Sequence, residues 1–252
     1  MDLIKKCLSI TAPVFFGYIS IGIPFGLLMA NAGYAWWLAP LMCLVMYTGS
    51  GQYFMVGLLA GGAGLFEIVV AQFLLSVRHI FYGLTLVGKY RGLGKYKPYL
   101  MYAITDETFA IIATIDVPKN VSRGLFYTLI SAFDQFYWFL GSLIGSVGFK
   151  VLEHYEVTKY FEGVDFALTA LFTVLLIGQI KVVKDFAPAA AGIVVSVITV
   201  VLYRLGVFSS SNIIWSAICF GMGVMLLLRG HSFFNEWKKN ENSVEACSEE
   251  VK

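Results

Sequence analysis

Residues 64–88 read "GLFEIVVAQFLLSVRHIFYGLTLVG". As a helix this run would extend about 37 Å at ~1.5 Å per residue, more than the ~30 Å hydrocarbon core of a bilayer. Glu67 sits near its start, where water can reach it. Arg78 and His79 sit side by side within it, and the basic stretch "KYRGLGKYK" follows at 89–97. Arg78 is about ten residues, or ~15 Å, from that basic end, which places it near mid-membrane. A charge at that depth costs roughly 2.5–3.5 kcal/mol on insertion scales, so it needs a partner or water.

The rest of the chain repeats the pattern. Charged residues make up 13% of the sequence and hydrophobic residues 58%, with a mean hydropathy of +0.76. A soluble domain carries about 25% charged residues. The apolar runs fall at 8–31, 35–60, 64–88, 99–116, 122–150, 166–181, 186–203 and 211–228. Most approach the ~20 residues of a spanning helix, and none alternates with the period of a transmembrane strand. The expectation is an all-α, polytopic membrane helix bundle. It forms one transmembrane domain over residues 1–235, followed by a polar, disordered tail over 236–252. No internal repeat is evident.

Several function classes drop out. The net charge of +2 comes from basic residues flanking apolar runs, a topology signal rather than a nucleic-acid footprint. Cys7, Cys43, Cys219 and Cys247 form no CxxC pair. The run 8–29 is too long for a signal-peptide core and reads as an uncleaved first membrane segment. "GLTLVGKY" at 83–90 imitates a phosphate loop, but Tyr90 stands where Ser or Thr is required, and the stretch ends an apolar helix. His154 and His231 have no metal-ligand spacing. No cofactor, metal or catalytic motif is found, so a non-enzymatic membrane protein is expected.

Two early runs look irregular. "TAPVFFGYISIGIPFG" at 11–26 holds Pro13 and Pro24 among three glycines, consistent either with a broken helix or with kinking and close packing. "YTGSGQY" at 47–53 places Gly49, Ser50, Gly51 and Gln52 at mid-segment, where a break with backbone groups facing a cavity is expected. If every run spanned with the N-terminus inside, Lys89, Arg91, Lys95 and Lys97 would lie outside, against the positive-inside rule. Half-length or re-entrant segments around "TGSGQ" and "TDET" remove the conflict. The basic loop, Lys119, Arg123, Lys181 and Lys184 then lie inside, and the acidic loop 152–165 outside.

Polar residues line helical faces. Gln72, Ser76, His79 and Gly83 share one face, with Arg78 about a quarter turn away. "AITDETFA" at 103–110 supplies Asp106 and Glu107, and "SAFDQFYW" at 131–138 supplies Asp134. Arg78 is expected to pair with one of these three acids. Ser131, Asp134, Gln135, Trp138 and Ser142 form another stripe. The candidate substrate and proton pathway is therefore Gly49, Ser50, Gly51, Gln52, Gln72, Arg78, His79, Asp106, Glu107 and Asp134. Buried polar staples between helices would use the same residues. Glycine pairs at 22/26, 57/61 and 141/145 permit close helix contact.

The stretches "MYTGSGQYF", "SVRHIFYG", "ITDETFA", "DQFYWFLG" and "GVDFALTALF" occur in this order. Together they make residues 10–230 resemble the large subunit of AzlC-type branched-chain amino-acid exporters. In that family the first block usually reads close to F-x-G-A-A-Q-F, and an Asn stands where this chain has Ser76. The resemblance implies multi-pass, proton-driven export of neutral amino acids (Leu, Ile, Val or Met) across a bacterial inner membrane. It also implies a small AzlD-type membrane subunit as partner. Two other readings stay open: a membrane-embedded enzyme using Asp106, Glu107 or His79, and a non-transporting membrane scaffold.

Overall fold

A computed structural model of the chain describes residues 3–118, 121–155, 166–183, 186–206 and 220–221. The expected segment at 211–228 (apart from 220–221), Asp165, His231 and the tail lie outside the described residues. Every regular element described is helical: α1 (Leu3–Asn31), α2 (Leu38–Val45), α3 (Gly49–Ala60), α4 (Leu65–Tyr90), α5 (Lys97–Tyr102), α6 (Asp106–Thr114), α7 (Arg123–His154), α8 (Phe166–Val183) and α9 (Ala187–Arg204). A short 3₁₀ turn, Gly94–Tyr96, precedes α5. The chain divides into two compact units, Met1–Thr173 and Val174–Lys252.

The first unit is built on α1 packed along α7. α1 runs unbroken through Pro13 and Pro24, so Gly22 and Gly26 serve packing and not a break, while Gly17 faces open space. A Cβ on Gly22 would lie 3.1 Å from Gly141 Cα, and one on Gly26 or Gly145 would overlap the facing backbone at Ser142 or Ile23. The glycine pairs 22/26 and 141/145 thus face each other and let two backbones touch. The third pair, Gly57 and Gly61, is exposed. The α7 stripe expected from its spacing, Ser131, Asp134, Gln135, Trp138 and Ser142, is buried throughout.

Chain direction follows from what touches what. Thr11 meets Tyr137, Gly22 meets Gly141, and Gly145 meets Ile23 and Gly26, so α1 and α7 run in the same sense. At one end Cys7 of α1 clusters with Phe126, Tyr127 and Ile130 of α7 and with Leu86 and Tyr90 of α4. The C-terminal end of α4 therefore lies beside the N-terminal ends of α1 and α7, and α4 runs opposite to both.

Each remaining pair of short helices forms a hairpin that turns back halfway. α2 starts beside Leu28 and Met29 at the far end of α1, and α3 returns to join the start of α4 through Leu58 and Ile68. α5 and α6 do the same from the other end. Tyr96 packs on Gly124 at the start of α7, Tyr99 reaches Gln135, and Ile112 is back among Leu86 and Phe126. The re-entrant segments expected around "TGSGQ" and "TDET" are these two hairpins. They enter from opposite ends, and the order long helix, hairpin, long helix, hairpin is an inverted repeat of architecture. The sequence hides it because the two halves share topology and few residues.

α1 and α4 are each long and apolar enough to cross a bilayer. α4 exposes Val69 and Phe73 near its start and Ile80, Leu84 and Val87 further along, the apolar face a lipid-contacting helix presents. In the second unit, α9 exposes Ile193, Val194, Val197 and Val201 while burying Val195 and Thr199.

Candidate functional site

The hairpin tips bring two helix N-termini together at mid-chain depth. Met46, Tyr47 and Thr48 form the first break. Tyr47 has φ +27°, the one positive φ at a non-glycine among the described residues, and Thr48 is neither helical nor extended at φ −134°, ψ 68°. Gly49, Ser50 and Gly51 were expected in the break, but they form the first turn of α3 instead. The physical reason is local: the two residues before Gly49 absorb the change of direction. Gly51 is required by close approach, since a Cβ there would meet Thr48 Oγ1 and lie 2.8 Å from Gln72 Oε1.

The second break is Ala103–Thr105, with Asp106 and Glu107 in the first turn of α6. Thr105 caps this helix, its hydroxyl accepting from Thr108 N–H at 3.3 Å. Two acids in the first turn complement the positive end of the helix dipole. The other end of α6 is closed by α4: Lys89 Nζ donates to the carbonyls of Ile112, Ala113 and Ile115 at 2.7, 2.8 and 3.3 Å. The sequence placed Lys89 in a basic loop as a topology signal. Its capping role depends on a contact between α4 and α6 that no local pattern records.

Arg78 joins the two tips. One guanidinium nitrogen lies 2.7 Å from Asp106 Oδ2, and the other donates to Ser50 Oγ at 2.5 Å. Of the three acids expected as partners, Asp106 is the one engaged. The pair is half-buried, at 30% and 26% side-chain exposure. Gln72 adds a second tie, donating from Nε2 to Gly51 O at 2.6 Å. One helix, α4, thus holds the first turn of α3 by Gln72 and both first turns by Arg78.

The other expected residues go elsewhere. His79 faces its own helix, with Nδ1 3.2 Å from Ser76 O and its ring edge-on to Tyr82, and no acid bonds to it among the described residues. Gln52 turns into the core, where its Oε1 accepts from Trp138 Nε1 at 2.6 Å and its amide reaches Cys43 Sγ at 3.5 Å. Asp134 is fully buried and accepts from Thr108 Oγ1 at 2.7 Å, not from Arg78. Glu107 accepts from Tyr18 OH at 2.7 Å. Tyr18, Thr105 and Thr108 escaped the sequence reading, because isolated hydroxyls in apolar runs look like ordinary membrane-helix residues.

The same stretch of chain carries the family signature. The family described as "AzlC protein" matches residues 13–152, which include both hairpins and every residue of the Arg78 bridge. This chain belongs to the AzlC family. The branched-chain amino acid transport protein AzlC of Bacillus subtilis is 31% identical over 225 residues, covering 89% of this chain and 85% of that protein. A membrane protein of Helicobacter pylori is 33% identical over 199 residues, 79% of this chain and 85% of that one. The inner membrane protein YgaZ of Escherichia coli is 28% identical over 184 residues, 71% and 74% of the two chains. No solved structure matches this chain. The AzlC family, the all-helical bundle and the membrane setting stand together.

Proposed function

We propose that this AzlC-family chain is the large subunit of a secondary transporter. It exports branched-chain or similar neutral amino acids (Leu, Ile, Val, Met), coupled to protons, across a bacterial inner membrane as a multi-pass protein. The observation that carries this reading is Arg78 bridging the first turns of two half-length helices that enter from opposite ends. Free first-turn amides at Gly49–Gly51 and the Arg78 guanidinium suit a substrate carboxylate. Asp106 and Glu107 suit an ammonium. Tyr82 and Phe109, stacked with ring centres 4.5 Å apart, supply an apolar wall. A single methylene is worth only ~1–3 kcal/mol in such a pocket, so one site accepts several aliphatic side chains.

The likeness to the Bacillus subtilis transport protein supports the substrate class. The charge pattern supports an orientation. Lys5, Lys6, Lys89, Arg91, Lys95, Lys97 and Arg123 belong to the end of the first unit where α1 and α7 begin, which is then cytoplasmic. A small AzlD-type membrane protein completes the complex.

The test is efflux of labelled Leu, Ile, Val and Met from preloaded vesicles, with this chain alone or with the small subunit, and with a pH gradient imposed or collapsed. Efflux is expected with both subunits and a gradient. No efflux of any of the four under any condition removes the proposal. Efflux indifferent to the gradient removes the proton, and full efflux by this chain alone removes the partner.

A further inference from the structure

One set of hydrogen bonds runs inward from the hairpin tip and belongs to no part of the Arg78 bridge. Glu107 Oε2 lies 2.7 Å from Tyr18 OH. Tyr18 OH lies 2.7 Å from Thr105 Oγ1. Thr105 Oγ1 lies 3.0 Å from Thr108 Oγ1, and Thr108 Oγ1 lies 2.7 Å from Asp134 Oδ2. Three hydroxyls from α1, the second hairpin tip and α6 therefore connect two carboxylates without a gap. The two ends differ. Glu107 is half-buried in the first turn that also carries the half-buried Asp106, whereas Asp134 is 0% exposed on α7.

We propose that Tyr18, Thr105 and Thr108 form a proton relay through which Glu107 and Asp134 share one proton. Each hydroxyl has one hydrogen, so the relay has two polarities. With the proton on Glu107, the carboxyl donates to Tyr18, Tyr18 to Thr105, Thr105 to Thr108, and Thr108 to the Asp134 carboxylate. Transfer breaks the O–H bonds of Glu107, Tyr18, Thr105 and Thr108 and forms new ones on Tyr18, Thr105, Thr108 and Asp134. Every donor then points the other way. One proton has moved inward, and one negative charge has moved out to Glu107.

The surroundings suit an exchange of one charge. Asp134 has Tyr18 of α1, Tyr47 of the first break, Tyr99 of α5 and Glu107 of α6 within electrostatic reach. Around Glu107 stand Tyr18, Asp106, Arg78, Tyr47 and Tyr82. No cation faces Asp134 among these groups, and its Oδ1 and the Ser131 hydroxyl one turn earlier find no hydrogen-bond partner among the described residues. Among these groups the one cation near Glu107 is Arg78, already engaged by Asp106 and Ser50. Loading Glu107 is then the step that a substrate ammonium beside the hairpin tip would oppose. That use rests on the proposed proton-coupled export, but the relay itself does not.

The test needs no substrate. The full chain in lipid nanodiscs is followed by infrared difference spectroscopy, with the protonated carboxyl bands assigned through Asp134→Asn and Glu107→Gln. A pH jump or a switch to D₂O then reports how fast the Asp134 carboxyl exchanges its proton. Thr108→Val and Tyr18→Phe cut the relay at two places on two helices, and Thr108→Ser restores a hydroxyl. Exchange should slow at least about tenfold in both cut variants and recover in Thr108→Ser, the rate equivalent of losing one hydrogen bond at the transition state. Thermal melting checks that each variant is folded. An Asp134 band that is absent in every state overturns the relay. So does exchange in folded Thr108→Val and Tyr18→Phe as fast as in the parent. Failure of amino-acid efflux would remove the transport reading and leave this result untouched.

Discussion

The two hairpins share a shape and differ in what fills their tips. The α5–α6 tip is satisfied by the protein: Thr105 caps it, Asp106 and Glu107 answer its dipole, and Lys89 closes the far end of α6. The α2–α3 tip has no side-chain cap, and its first turn is Gly-Ser-Gly with no acid. A helix N-terminus holds about half a positive charge and unpaired amides. One tip has spent that field on its own carboxylates, and the other has kept it. The difference assigns them complementary tasks in the proposed transport, anion recognition at α3 and cation or proton handling at α6. Arg78 is the link that makes them one site.

The strongest way to break this division is to remove the link. Arg78→Ala strips the guanidinium from both tips and leaves Asp106 half-buried without a cation. Efflux should fall on the order of a hundredfold or more, as for loss of a preorganised charge contact. Stability should fall less, since in a half-buried pair desolvation and side-chain ordering offset much of the attraction. Arg78→Lys should recover little efflux, because one ammonium replaces a fork whose two nitrogens serve different helices. Efflux from Arg78→Ala near the parental rate would mean that the bridge is a structural staple.

A second prediction separates the scaffold from the tip. Gly145→Ala puts a methyl into the Ile23 carbonyl of α1, a backbone group that cannot move aside. Gly51→Ala meets only the side chains of Thr48 and Gln72. The first should cost roughly 1–3 kcal/mol of stability, the range for overpacking, visible as a lower melting temperature in detergent. The second should melt closer to the parent but lose efflux, since Gln72 must release Gly51 O and the tip shifts. Equal melting losses in the two variants would show that the α3 tip is as rigid as the α1–α7 contact.

Legibility in the sequence followed the range of the forces involved. Helix type over 3–118 and the four apolar runs could be read because hydropathy is local and the bilayer sets one length, whereas the division of two runs into paired short helices depends on tertiary packing. Arg78 could be singled out because a charge at the middle of a mostly apolar run demands a partner, whereas Glu67 lies at its end. Its choice of Asp106 over Asp134 could not, because that depends on how deeply each hairpin enters. The break expected near 48–52 overlaps the observed one at 46–48 only at Thr48, because glycine at 49 and 51 looks like flexibility. In the fold, Tyr47 and Thr48 turn the chain, while Gly51 makes room for Gln72. Gln52 and His79 looked like pathway residues by polarity alone, and tertiary packing turned them to Trp138 and to their own helix.

The smallest expected effect tests the asymmetry at its source. Thr105→Ala deletes the one side-chain cap at the α6 tip, and caps of this type are worth about 0.5–2 kcal/mol. Thr48 stands at the equivalent position of α3, but its hydroxyl caps nothing and has no hydrogen-bond partner among the described residues. A buried hydroxyl without a partner contributes little, so Thr48→Ala should leave stability within a few tenths of a kcal/mol. The pair is measured by thermal melting of the whole chain under one set of conditions, with Thr105→Ser as the conservative control. Adding the transported amino acid sharpens the contrast. If α3 keeps its amides for a substrate carboxylate, ligand should raise the melting temperature of Thr48→Ala as much as that of the parent. Equal losses from Thr48→Ala and Thr105→Ala, without ligand, would mean that both tips are capped alike and that the division of labour between them is wrong.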